Sequence, residues 1–181
     1  MSNNVKLGFK LFVITAVVGL ALAFVNSVTA PVVAENEAQK LKESLSVVYP
    51  ADSYEEIEVA DKPDSIENVY KATSADGDGY VFQINSTGGY GGDIEFLLAV
   101  DKDHNILGFA PLNHLESAGF GAEMEQEFFK EGMVGVSMDN EVGYSSSGSE
   151  NEIVGISGAT ISTTTIVKGI NDAREVLTEI N

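Results

Sequence analysis

At 181 residues, 44% of them hydrophobic, the chain has room for one compact domain plus an accessory segment, and it carries enough Val, Ile, Leu and Phe to build a core; two full domains and disorder throughout are both excluded. Its 10 Lys and Arg face 28 Asp and Glu, a net charge of −18 that repels nucleic acid and opposes casual binding of free phosphate ligands. The absence of cysteine rules out disulfides, thiolate metal sites, cysteine-ligated iron–sulfur clusters and cysteine nucleophiles.

Residues 1–10 carry Lys6 and Lys10 and no acid, and from Leu11 to Ala34 no charged residue interrupts the sequence. About 20 apolar residues suffice to cross the hydrocarbon core as a helix, so 11–34 reads as a single transmembrane anchor. Glu35 and Glu37 follow it, and the positive-inside tendency then puts the amino terminus in the cytoplasm and the main domain outside. A cleaved signal peptide, cut after Val32-Val33-Ala34, is the competing reading. The apolar run is longer than the 7 to 15 residues or so of a signal h-region, which favours a retained anchor. Pro31 is expected to kink or end the spanning helix.

Residues 35–50 form a polar stretch with Ala38, Leu41, Leu45 and Val48 at helical spacing, read as a helical linker that ends before Pro50. The domain proper is placed at 51–181. Its first part, Ala51 to Asp64, is acidic and contains Pro63, which suggests irregular or edge structure. Four strand signals follow, at 68–73, 79–85, 93–101 and 105–113, separated by turns at Asp76–Gly79, Gly88–Gly92 and Asp101–His104. They predict antiparallel hairpins. A short helix is expected at Ala122 to Lys130, a Gly/Ser loop near Tyr144 to Ser149 and a last strand at Glu152 to Ile156. The final helix is predicted from about Ser162 to Glu179, with Ile166, Val167, Ile170, Ala173, Leu177 and Ile180 on one face. The sum is an α+β fold, without the alternation of a doubly wound sheet.

Most candidate motifs fail on their own chemistry. Asp101-Lys102-Asp103-His104-Asn105 begins like a calcium loop, but Ile106 stands where Gly is needed and Leu112 where Glu is needed, so it reads as a hairpin turn with a solvated His104. No phosphate loop or dinucleotide fingerprint is present. Gly155-Ile156-Ser157-Gly158-Ala159 resembles half a nucleophile elbow, and a hydrolase would still need His104 or His114 and an acid such as Asp93 brought to Ser157. His114, followed by Glu116 and Gly119-Phe120-Gly121, lies in a loop suited to line a ligand pocket, or is a packed, hydrogen-bonded histidine. Ser157 to Ser162 is a strand-to-helix turn of small and hydroxylated residues, where unpaired N–H groups and the helix dipole suit a phosphate. A Ser or Thr N-cap beside a turn glycine accounts equally for the same residues.

Ile156-Ser157-Gly158-Ala159-Thr160-Ile161-Ser162 resembles the flavinylation motif of the G subunit of Rnf electron-transport complexes, itself similar to the C subunit of sodium-pumping NADH:quinone reductases. The amino-terminal span ending in Asn26-Ser27-Val28-Thr29-Ala30-Pro31 is similar to that family's anchor, Gly89-Tyr90-Gly91-Gly92 to its Gly-Tyr-x-Gly segment, and His114-Leu115-Glu116-Ser117-Ala118-Gly119-Phe120-Gly121 to its His-x-Glu-Thr-Pro-Gly-Leu-Gly loop. Ser117-Ala118 replaces the usual Thr-Pro, and Val154 stands where an acidic residue commonly precedes the motif.

The resemblance implies FMN joined covalently, through a phosphoester, to Thr160 by a dedicated flavin transferase. Ser157, Gly158 and Ala159 would shape the turn and Ser162 the start of the helix. Tyr90, Phe120, Gly119 and Gly121 would lie against the ring, with His114 and Glu116 as polar neighbours. The implied function is electron relay in a cytoplasmic-membrane ferredoxin:NAD oxidoreductase, alongside polytopic subunits and an iron–sulfur subunit, the chain being a carrier and not a complete enzyme. A flavin-binding sensory or scaffold module at the membrane is the alternative from another class.

Overall fold

The computed structural model describes residues 3–75 and 77–180; Asp76, in the predicted 76–79 turn, lies outside the described residues, as do Met1, Ser2 and Asn181. The chain divides into two units, Met1–Leu41 and Lys42–Asn181.

Helix α1, Asn3–Val48, fills the first unit and contributes its final turns to the second. It is long and apolar enough to cross a membrane, and Leu7, Phe12, Leu20, Leu22 and Phe24 are all exposed along it. Pro31 does not end the helix, because α1 continues through it. One proline removes a single backbone bond, and the helical residues on either side maintain the rest. Thr15 and Thr29 return their hydroxyls to the Leu11 and Val25 carbonyls at 3.0 Å, so these polar side chains are satisfied within the apolar span.

In the second unit a five-stranded antiparallel sheet runs in sequence order: β1 (Ser53–Ile57), β2 (Ile66–Ser74), β3 (Gly77–Ser86), β4 (Ile94–Asp101) and β5 (Ile106–Asn113). The acidic stretch after Pro50 thus supplies the edge strand. The turn between β4 and β5 closes on Asp101, whose Oδ1 accepts from the amides of Asp103 and Asn105, each at 2.8 Å. His104 is not simply solvated there, because its Nδ1 lies 3.0 Å from Asp139 Oδ1.

Successive side chains of a strand point to opposite faces. Phe82, Ile84, Phe96, Leu98 and Val100 face the main core, while their neighbours Val81, Leu97 and Ala99 are fully buried on the other side. Burial on both faces explains the continuous apolar run Phe96-Leu97-Leu98-Ala99-Val100. The end of α1 lies close against the sheet: a β-carbon on Gly108 would sit 2.5 Å from the Val48 carbonyl oxygen, and one on Gly79 2.7 Å from Tyr49 Cε2. The Tyr54 hydroxyl on β1 reaches the Leu45 and Tyr49 carbonyls and so satisfies helix-end acceptors.

The main core is closed by α3, Thr160–Ile180, whose Ile166, Ile170, Ala173, Val176 and Leu177 are buried. The predicted helix at 122–130 is two pieces, a 3-10 turn over Gly121–Glu125 and a short α2 over Glu127–Glu131. Met124 and Phe129 from these pieces, and Met133 just beyond them, are buried, so core contacts, more than helical periodicity, set their shape. The Gly/Ser stretch contains a strand that the sequence did not suggest, β6 (Gly143–Ser145), paired in parallel with β7 (Glu152–Val154), which stops short of Ile156. Three-residue strands carry no readable alternation.

Gly169 is a close approach of α3 to the sheet, where an added β-carbon would lie 2.8 Å from Ile84 Cγ2 and 2.9 Å from Phe96 Cζ. Gly169→Val is expected to lower the stability of the full-length chain by about 1 to 3 kcal/mol through overpacking, measured by thermal denaturation in detergent. Unchanged stability would mean that α3 can move off the sheet freely.

Candidate functional site

Helix α3 begins at Thr160, earlier than the sequence suggested. The turn before it needs a left-handed residue, and Gly158 supplies one at φ 76°. The amide and the hydroxyl of Thr163 both donate to the Ala159 carbonyl at 3.0 Å, which makes Ala159 the N-cap. Alanine has no side-chain acceptor. The amides of Thr160, Ile161 and Ser162 therefore lack the capping oxygen that Ser or Thr would give, and no side-chain hydrogen bond reaches them among the described residues. Thr160 is exposed, and its hydroxyl likewise has no protein partner among the described residues.

Three segments converge on this helix start. The loop between β3 and β4 brings Tyr90, the loop after β5 brings Glu116, Ser117, Ala118, Phe120 and Gly121, and the turn into α3 brings Gly158 to Ser162; together they line a cavity of about 500 Å³. Tyr90 is 73% exposed and Phe120 55%, so two aromatic rings stand at its rim with their faces available. Phe120 also packs on the turn, for a β-carbon on Gly158 would lie 3.5 Å from Phe120 Cδ1.

The loops are tied by Glu116. Its Oε1 accepts from the Gly91 amide at 3.0 Å and its Oε2 from the Ser162 hydroxyl at 2.7 Å. Ser162, 1% exposed, thus spends its hydroxyl on Glu116. The Glu116 amide donates to His114 Nδ1 at 3.2 Å, which leaves Nε2 to carry the ring proton toward Glu125 Oε1 at 3.0 Å. Three glycines permit this closeness. A β-carbon would lie 2.6 Å from Glu116 Oε1 if placed on Gly89, 2.3 Å from Oε2 if placed on Gly121, and 2.0 Å from the Leu115 carbonyl oxygen if placed on Gly91.

Of the residues singled out from sequence, Tyr90, Glu116, Phe120, Gly121, Gly158, Ala159, Thr160 and Ser162 share the cavity wall. Ser157 is exposed outside it, Gly119 makes a left-handed turn at φ 77°, and His114 packs behind Glu116 with its side chain 9% exposed. No hydrogen bond joins Ser157 to a histidine among the described residues, and His104 sits at the far end of β5 from His114, so the parts of a hydrolase are not assembled. No cluster of described residues is arranged to hold a metal ion. Sequence reasoning missed Ser117, Ala118 and Ile161 as wall residues, although all three lie within the motifs, and it missed Glu125 as the partner of His114, which nothing in local spacing marks.

The FMN-binding domain family matches residues 89–175, the span containing all three segments. The chain is 31% identical to the G subunit of the Na+-translocating ferredoxin:NAD+ oxidoreductase complex of Acetobacterium woodii, over 94% of this chain and 90% of that protein. It belongs to this G-subunit family. The corresponding subunit of the proton-translocating complex of Clostridium ljungdahlii is 28% identical over 88% of this chain and 84% of its own length. In fold, the chain is similar to the C subunit of the Na+-translocating NADH-quinone reductase of Parabacteroides distasonis, with TM-score 0.50 and 22% identity over 61% of this chain and 62% of that one.

The Gly91 contact is backbone against backbone and cannot be relieved by a rotamer change. Gly91→Ala is expected to cost about 1 to 3 kcal/mol of stability and to separate the two loops. The expected readout in the full-length chain is a lower melting temperature with faster amide exchange at residues 89–92 and 114–121; wild-type exchange there would contradict the packing described.

Proposed function

We propose that this chain is the electron-carrying subunit of a membrane-bound, ion-translocating ferredoxin:NAD oxidoreductase, with FMN esterified through its phosphate to Thr160 Oγ1. The observation that carries the reading is the setting of that hydroxyl, which lies without a protein partner among the described residues, at the first turn of α3 in the wall of a 500 Å³ cavity.

The residues fit the group. Cofactor pockets run to roughly 300 to 1,000 Å³. The uncapped amides of Thr160, Ile161 and Ser162 suit phosphate oxygens at the positive end of the helix dipole. The rings of Tyr90 and Phe120 suit the faces of an isoalloxazine. No Lys or Arg is among the described residues that line the cavity. A phosphate held by amides alone, on a chain of net charge −18, is weakly retained, and an ester bond substitutes for that missing affinity. In forming it, the Thr160 oxygen replaces one phosphate oxygen of FMN, and one water is lost overall.

When bound, FMN supplies the electron-accepting and electron-donating chemistry. The chain's own residues fix where that group sits. Thr160 tethers it, the first amides of α3 neutralise part of its phosphate charge, and the Glu116 brace holds the loops on either side. Tyr90 and Phe120 keep water from the ring faces.

Lys6 and Lys10 before the apolar run and Glu35 and Glu37 after it support an amino terminus in the cytoplasm and a domain outside. There a transferase attaches the flavin, and polytopic subunits with an iron–sulfur donor complete the path. Intact mass spectrometry of the full-length chain, produced with its transferase, is expected to find the mass of FMN less one water on the wild type and none on Thr160→Ala. An unmodified wild type, or a modified Thr160→Ala, overturns the assignment.

A further inference from the structure

Among the described residues that line the cavity Glu116 is the only carboxylate, and no cationic side chain accompanies it there. Both of its oxygens accept, one from the Gly91 amide at 3.0 Å and the other from the Ser162 hydroxyl at 2.7 Å, the acceptor-only pattern of a carboxylate. Gly89 and Gly121 leave space for the carboxylate on two sides, since β-carbons added to them would fall 2.6 Å from Oε1 and 2.3 Å from Oε2. His114, locked by Glu125 at 3.0 Å, holds the Glu116 backbone at 3.2 Å. The side chain is therefore held at both oxygens by donors from two different segments. It is a fixed negative charge in the wall.

We propose that Glu116 is a positioning residue that lowers the reduction potential of the flavin held in this cavity. The inference rests on the reading of the cavity as the FMN site. Taking up two electrons from an iron–sulfur donor and one proton from solvent leaves the ring one negative charge richer. A carboxylate that cannot turn away opposes that added charge, so the reduced form is destabilised relative to the oxidised one. The Ser162 hydroxyl moderates the effect by sharing the carboxylate charge. A side chain free to rotate into water would screen itself; the hydrogen bonds from Gly91 and Ser162 hold Glu116 in the wall instead.

The test uses the full-length chain carrying its flavin, in detergent, with visible absorbance followed against an electrode at fixed pH. Glu116→Gln keeps an oxygen for the Gly91 amide and can donate to Ser162, so it removes the charge while conserving the shape. At a fixed potential its ratio of oxidised to reduced flavin is expected to fall about tenfold, equivalent to a midpoint about 30 mV more positive for a two-electron couple. Ser162→Ala retains the charge and removes the donor, and its midpoint is expected to be more negative than that of the wild type. A wild-type midpoint in Glu116→Gln overturns the proposal, as does a positive shift in both variants, which would mark a general loosening of the site. Should Glu116→Gln carry no flavin, Ser162→Ala decides alone: a more negative midpoint upholds the proposal, and an unchanged or more positive one overturns it. Intact mass separates the two levels of inference. A wild-type chain without FMN defeats the site assignment, whereas a flavinylated chain whose potential ignores these substitutions defeats only the role of Glu116.

Discussion

The carboxylate of Glu116 accepts from Gly91 and from Ser162, and through them it joins the loop after β3, the loop after β5 and the first turn of α3, on which the shape of the site depends. Each of these segments has its own reason to move. The first is rich in glycine, with Gly88 and Gly92 at φ 105° and 131°; the second turns at Gly119; the third begins with an uncapped helix. Loops of this kind have many conformations of similar energy, and ordering them costs entropy that a surface contact would not offset. A charge-assisted hydrogen bond on each carboxylate oxygen is stronger than a neutral one, and here the two bonds act between different segments. The cavity therefore exists as a defined shape before any ligand enters it.

What makes that shape rigid is the base on which it stands. Helix α3 carries Thr160 at its solvent-exposed start and lies over β3 and β4 through Ile166, Ile170 and Ala173. Gly169 lets the helix come close to Ile84 and Phe96, and Ser86 adds a buried hydrogen bond from its hydroxyl to the Thr165 carbonyl at 2.7 Å. The strands below are buried on both faces, so they cannot tilt without exposing Leu97 or Ala99 on one side or Phe96 and Leu98 on the other. Any motion of Thr160 is thus coupled to the core. For the proposed attachment at Thr160 this matters, because a group tethered to a mobile helix would sample distances to its donor and acceptor that transfer does not tolerate.

The sheet was legible because its signals are local. Alternation in β2 and β3, the apolar run in β4 and the Asp and Gly turns between strands each sit within a few residues, and β2 to β5 fall where they were expected. The start of α3 was misjudged because Thr160 and Ile161 look like turn residues until the Ala159 carbonyl is seen to accept from Thr163. β6 was invisible because its partner supplies the reason for it. In the site, the residues brought to the cavity wall were mostly those in the quoted motifs, but their relations were not legible. Ser162 and Glu116 are 46 residues apart, and no pattern in either neighbourhood announces that the serine serves the glutamate and not a ligand. The same holds for His114, whose partner Glu125 lies in the 3-10 turn that the sequence presents as helix.

Charge connects the composition to the site. A chain with 28 acids and 10 bases could have placed a lysine or its single arginine, Arg174, beside the helix start, as phosphate sites often do. Instead, among the described residues the cavity wall has amides, two aromatic rings, hydroxyls, apolar groups and one carboxylate. Amides at a helix end orient a phosphate, but their partial charge is screened within the first turn and holds a dissociable anion poorly. The proposed ester to Thr160 would remove that weakness and free the remaining electrostatics for another purpose. With retention then independent of attraction, a negative charge could be kept next to the proposed flavin, where it would otherwise favour its loss. On that proposal, exchanging affinity for a tether is compatible with a carboxylate, Glu116, that braces the wall through Gly91 and Ser162.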